Sequence, residues 1–265
     1  MSDAQPSSSP VRALVRRTAR RVGREQQLLL AYETCCRALE SPATRRNLRD
    51  NERVRCVAAA VLAEDSNCID VGANVGDLLA LFTELAPRGR HIAFEPVPEL
   101  SDQLARRFPQ VDVRQAALSD QVGSSTFVVN TRLASRSSLH SVGYPEEHTK
   151  SITTRVETLD AALPAGYVPH LVKVDVEGAE HLVLRGGLET LREHQPMIIF
   201  EHQRATASHY GTGPEEMFDL LVEGIDMRIF DMDGRGPYSR DRLREAYESG
   251  SRWNFFAVAA RRPAA

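Results

Sequence analysis

Short, mostly apolar runs recur along the chain between residues 68 and 201, and most close on an acid or a glycine. Cys68-Ile69-Asp70-Val71 is the first, His91-Ile92-Ala93-Phe94 the second and Val111-Asp112-Val113-Arg114-Gln115-Ala116-Ala117 the third. Leu171-Val172-Lys173-Val174 and Met197-Ile198-Ile199-Phe200 are the fourth and fifth. Runs of this length bounded by turn residues read as buried strands. Between most of them the apolar positions fall three and four apart, as on one face of a helix. Leu78, Leu79, Leu81, Phe82 and Leu85 follow the first run, Leu100, Leu104 and Phe108 the second, and Met217, Leu220, Leu221 and Ile225 the fifth. Strands alternating with helices predict an α/β fold, a parallel sheet covered by helices on both faces. Met227-Arg228-Ile229-Phe230 and Phe255-Phe256-Ala257-Val258-Ala259 predict a closing strand pair. In such a sheet, ligands bind outside the carboxyl ends of the strands, where the strand order reverses.

The first strand runs into Gly72-Ala73-Asn74-Val75-Gly76-Asp77. Glycines after a strand permit a tight turn and a close approach of backbone, and the helix that follows offers its N-terminus to a nucleotide. The spacing is not that of a dinucleotide site, which would place glycine at 72, 74 and 77. Asp70 and Asp77 flank the turn instead, and they favour a cation over a pyrophosphate. S-adenosylmethionine carries a sulfonium and an ammonium at that end, so the charge pattern selects it over NAD. Glu95 closes the second strand 19 residues beyond Gly76, in register for the acid that bonds ribose hydroxyls. Pro96 ends the strand there.

With these motifs the chain resembles the FkbM-type S-adenosylmethionine-dependent O-methyltransferases. The resemblance rests on Ile69 to Gly76, Ala93-Phe94-Glu95-Pro96 and Ala116-Ala117-Leu118-Ser119-Asp120. It rests above all on Val172-Lys173-Val174-Asp175-Val176-Glu177-Gly178-Ala179-Glu180, then Leu184-Arg185-Gly186-Gly187, Pro196 to Glu201 and Trp253 to Ala257. It covers residues 65–260. It implies a doubly wound, seven-stranded Rossmann-like class I methyltransferase sheet with its last strand antiparallel, and methylation of hydroxyls on sugars and other small natural-product scaffolds. It also implies that the donor lies along Asp70, Gly72, Asn74, Gly76, Asp77, Glu95, Ala117 and Asp175. Gln115 stands where one common family variant has asparagine, which weakens the expectation of adenine contacts there.

Methyl transfer requires an acceptor oxygen held in line and shielded from water. A sugar hydroxyl also needs a base or a metal to ease its deprotonation. Asp175 and Glu177 close the fourth strand, and Glu201 and His202 close the fifth, so these four are the candidate catalytic groups. A magnesium ion on Asp175, Glu201 and His202 is the alternative to a direct base. The polar stretch 131–154 is the expected substrate loop, with His140, Tyr144 and His148 as candidate acceptor contacts. His181, one turn beyond Glu177, is a fourth. Two other readings stand beside the O-methyltransferase: a non-catalytic methyltransferase-like binding module and an NAD-dependent Rossmann oxidoreductase.

At 265 residues, the chain is expected to hold a disordered tail over 1–10, a helical extension over 11–63 and the methyltransferase domain over 64–262. The segments 28–39 and 54–62 are apolar enough to pack as a cap or as the face of a homodimer. The net charge of −3 argues against a specific nucleic-acid partner, despite the local run of Arg12, Arg16, Arg17, Arg20, Arg21 and Arg24. A small-molecule or oligosaccharide hydroxyl acceptor is the expected partner. Cys35, Cys36, Cys56 and Cys68 lack metal-ligand spacing and fit a reducing compartment. No run is long enough to span a bilayer, and Arg12, Arg16 and Arg17 precede no secretory apolar core. The expected location is therefore cytoplasmic.

Overall fold

A computed structural model describes residues 42–130 and 149–260. The chain divides into two units, residues 1–52 and 53–265, and all the described strands belong to the second. Helix α1 (Pro42–Val61) crosses the boundary. The strands that follow are β1 (Cys68–Val71), β2 (Ile92–Phe94), β3 (Asp112–Arg114), β4 (Ala117–Leu118), β5 (Gly123–Asn130), β6 (Thr149–Glu157), β7 (Leu171–Val174), β8 (Met197–Glu201), β9 (Met227–Asp231) and β10 (Asn254–Ala259).

Seven of them form one sheet in the order β3-β2-β1-β7-β8-β10-β9. β1 pairs in parallel with β2 on one side and β7 on the other, and β8 continues in parallel beyond β7. β10 runs antiparallel to both β8 and β9. This is the doubly wound class I methyltransferase arrangement, with the last strand inserted in reverse. The chain leaves β1 toward one edge and returns at β7 toward the other, so the switch point lies between the carboxyl ends of β1 and β7.

Burial explains why these runs become central strands. Every residue of β1, β2 and β7 is buried, as expected for a parallel sheet covered on both faces. Helix α2 (Asp77–Leu85) buries Leu79, Leu81 and Phe82, and α3 (Pro98–Arg107) buries Leu100 and Leu104, in line with their helical spacing. The main core includes Phe94, Phe200 and Phe255, each essentially removed from water. Burial of one such side chain contributes about 1.5–3 kcal/mol.

The third run divides. Asp112–Arg114 joins the main sheet, while Ala117–Leu118 pairs with β6 in a separate three-stranded sheet ordered β4-β6-β5. β5 and β6 form an antiparallel ladder from Gly123↔Val156 to Asn130↔Thr149. Of the expected substrate loop 131–154, residues 149–154 are thus strand β6. The remainder, with His140, Tyr144 and His148, lies outside the described residues.

Candidate active site

The glycine turn is built by backbone contacts between three strand ends. Gly72 and Ala73 both donate N–H groups to the Phe94 carbonyl, at 3.0 and 3.1 Å. Gly72 has φ 77°, and a Cβ there would stand 2.0 Å from the backbone oxygen of Asp175. The end of β7 thus packs against Gly72 and leaves no room for a side chain there. Asn74 follows with φ 51°, an uncommon backbone for a non-glycine residue. Its N–H donates to Glu95 Oε2 at 2.8 Å. Glu95 Oε1 accepts the N–H of Val97 at 2.9 Å. The Glu95 carboxyl is buried at the end of β2, and burial pushes its pKa up against those two N–H groups. Each oxygen retains a further lone pair. Asp77 is exposed on the first turn of α2, where a carboxylate favours the helix dipole.

One buried cation ties the turn to β7. The Lys173 ammonium donates to the Gly72 carbonyl at 2.9 Å. It lies 3.3 Å from Asp70 Oδ1 and 3.6 Å from Asp175 Oδ2. Burial alone would push its pKa down, but Asp70 and Asp175 outweigh that and hold it raised. Burial raises the pKa of Asp70, with Lys173 acting in the opposite sense. Asp70 is the neighbour of a structural cation, which sequence reading missed. The signal was present: Lys173 is the one charged residue in the run Leu171–Val174.

Acids gather where β7 and β8 end. Glu177 has φ 57° and Gly178 φ 109°, so the chain turns sharply after Asp175. Glu180, first residue of the helix Glu180–Arg185, reaches back into this turn. Its Oε1 accepts the N–H of Val176 at 2.9 Å and of Gly178 at 3.1 Å. Burial drives the Glu180 pKa up to about 7, against these hydrogen bonds. Glu201 Oε1 accepts Gln203 Nε2 at 2.7 Å. Burial, then the charges of Asp175, Glu180 and Glu177, and a hydrogen bond shared with Asp175 hold the Glu201 carboxyl protonated well above the usual range. Asp175 is the open end of the group, with 45% of its side chain exposed.

The model of the methyltransferase FkbM domain matches residues 70–228, more than half of the chain. The chain belongs to the FkbM family of S-adenosylmethionine-dependent methyltransferases. This family chain is 28% identical over 184 residues to the hexuronic acid methyltransferase AglP of Haloferax volcanii, covering 67% of this chain and 70% of AglP. It is 41% identical over 71 residues to the AMB antimetabolite synthetase AmbE of Pseudomonas aeruginosa, covering 25% of this chain and only 3% of AmbE. A crystal structure of methyltransferase FkbM from Methylobacillus flagellatus KT is 16% identical, covers 74% of this chain and 44% of its own, and superposes with a TM-score of 0.48.

The FkbM-type chain brings Asp175, Glu177 and Glu201 together, but not His202. His202 is 1% exposed and its ring stacks on Tyr247, with centroids 4.9 Å apart. Successive residues of an extended chain point to opposite sides, so the ring leaves the side that Glu201 occupies. His181 is likewise buried in its helix. Among the described residues no three His, Cys, Asp or Glu side chains come together as a metal site. The magnesium set Asp175, Glu201 and His202 is thus not assembled among the described residues, because the imidazole is packed against Tyr247. Ala117 is buried in β4.

Burial lowers the His202 pKa from 6.5 to about 4. Between these values the unfolded chain binds more proton than the folded one, so acidification removes stability. His202→Phe keeps the ring stack and deletes the titration. Urea unfolding should therefore show the variant losing about 2–3 kcal/mol less than the parent between pH 7 and pH 4.5. Equal losses in the two proteins would show that His202 is not held neutral.

Proposed function

We propose that this chain transfers the methyl group of S-adenosylmethionine to a hydroxyl of a sugar, a glycoside or polysaccharide precursor, or a related natural product. The observation that carries the reading is the convergence of the glycine turn, Glu95 and the Asp175–Glu201 group at the ends of neighbouring strands. The residues fit the donor. Glu95 presents a buried carboxylate with open lone pairs where a ribose would sit, and the acids at the ends of β7 and β8 suit a cationic centre. Asn74, Gly76 and Asp77 line the turn beside it. A strand and a glycine turn would also suit NAD, but membership of the methyltransferase family sets that reading aside. Likeness to a hexuronic acid methyltransferase supports a sugar acceptor.

Bound S-adenosylmethionine supplies an electrophilic methyl, so the chain has only to place and deprotonate the acceptor. Asp175 takes the hydroxyl proton as its carboxylate. Glu201, holding its own proton, donates to Asp175 and keeps it aimed. The stretch 131–154 is the proposed source of acceptor contacts. Among the described residues Cys56 and Cys68 are free thiols, in keeping with work in the cytoplasm. No described helix is long and apolar enough to cross a membrane.

Titration calorimetry with S-adenosylmethionine and with NAD tests the donor, and conversion to S-adenosylhomocysteine with uronic acids and glycosides tests the reaction. Binding of NAD alone would overturn the reading, and donor binding without turnover across the acceptors would leave the binding module. Glu95→Ala removes a charge-assisted contact and should weaken donor binding by about 1.5–3 kcal/mol. An unchanged Kd for both S-adenosylmethionine and S-adenosylhomocysteine would remove Glu95 from the donor site.

A further inference from the structure

Glu180 is a buried carboxylate in an unusual setting. It is 1% exposed, and among the described residues it forms no ion pair. A charge so placed is costly unless hydrogen bonds answer it. The N–H groups of Val176 and Gly178 do so, both at the single oxygen Oε1, at 2.9 and 3.1 Å. They belong to the turn that carries Asp175 and Glu177. That turn departs from ordinary backbone at two successive residues, Glu177 at φ 57° and Gly178 at φ 109°. A non-glycine residue persists in this conformation only where its surroundings over-determine it. One side of the turn is closed by packing: a Cβ on Gly178 would stand 2.5 Å from the Thr206 carbonyl. The other side is closed by Glu180.

We infer that Glu180 is a positioning residue, which clamps the Asp175–Gly178 turn through its two backbone N–H groups and so aims Asp175 and Glu177 at the reacting centre. The inference rests on the methyl-transfer reading for its consequence in turnover, but the clamp itself can be observed independently. Both hydrogen bonds end on one oxygen, and a neutral carbonyl at that place can accept both. Glu180→Gln retains a carbonyl oxygen at that place, and Glu180→Ala retains nothing.

The test measures three quantities in the full chain: amide exchange of Val176 and Gly178, donor Kd by calorimetry, and kcat for formation of S-adenosylhomocysteine with an accepted sugar. Glu180→Ala should raise exchange at the two amides at least about tenfold and lower kcat by about 10–100-fold, the scale of a misplaced reacting group. Donor Kd should stay within about threefold, because the donor turn after β1 is held by other contacts. Glu180→Gln should recover kcat to within about threefold of the parent. If Glu180→Ala does not fold, Glu180→Asp serves, since it keeps the charge but shortens the reach by one methylene. Parent-like kcat in the alanine or aspartate variant overturns the inference. So does a glutamine variant as impaired as alanine, which would make the charge the essential property. A parent protein that binds donor but methylates nothing would sink the functional reading, and amide exchange would still decide the clamp.

Discussion

Lys173→Met should cost about 3–5 kcal/mol of stability in urea unfolding, the usual penalty for removing one partner of a buried pair. Methionine matches the length of the lysine stem, so packing within β7 is largely retained and the loss is chiefly electrostatic. The ammonium answers Asp70, which is 1% exposed, and it holds the Gly72 carbonyl and approaches Asp175. Without it Asp70 must either stay charged in the core or take up a proton. Combining Lys173→Met with Asp70→Asn removes both charges. The double variant should recover at least half of the lost stability, since a buried pair as a whole is near neutral in its contribution. A double variant as unstable as the sum of the two singles would show that Lys173 acts through the Gly72 carbonyl and not through Asp70.

The central strands were legible because burial on both faces leaves an unbroken apolar run, as in Ile92–Phe94 and Ile198–Phe200. The reversed last strand was legible only through the resemblance of motifs, since Phe255 to Ala259 carries no mark of its direction. The second sheet was not legible. Residues 149–154 are rich in Ser, Thr and Lys, and their strand character comes from pairing with β5 across the hairpin. At the site, Glu95 could be placed from its distance to the glycine turn. The catalytic group could be placed only to within a strand end. His202 follows Glu201 directly, but alternation along an extended chain sends the two side chains to opposite sides. Glu180 was visible as part of a motif, but its contact with two backbone N–H groups depends on a turn whose shape no local pattern announces.

The acid pair should separate by chemistry. Asp175→Asn should lower kcat by about 10²–10⁴-fold, the usual loss when a positioned base is removed. Donor Kd should change far less than kcat, because Glu95 and the glycine turn remain. Glu201→Gln should lose far less, about tenfold or under, since Glu201 already holds its proton and an amide can take over the donated hydrogen bond. Glu201→Ala removes that donor and lets Asp175 turn toward Lys173, so its loss should lie between the other two. A chelator should leave the parent unchanged, because the side chains of Asp175, Glu201 and His202 do not converge on one point. Rates of S-adenosylhomocysteine formation at saturating donor decide these cases. Equal losses for Asp175→Asn and Glu201→Gln would mean that the proton is shared evenly and neither acid is the base alone. Full activity in both would leave proximity and orientation as the source of the rate, and the assignment of the base to this pair would be wrong.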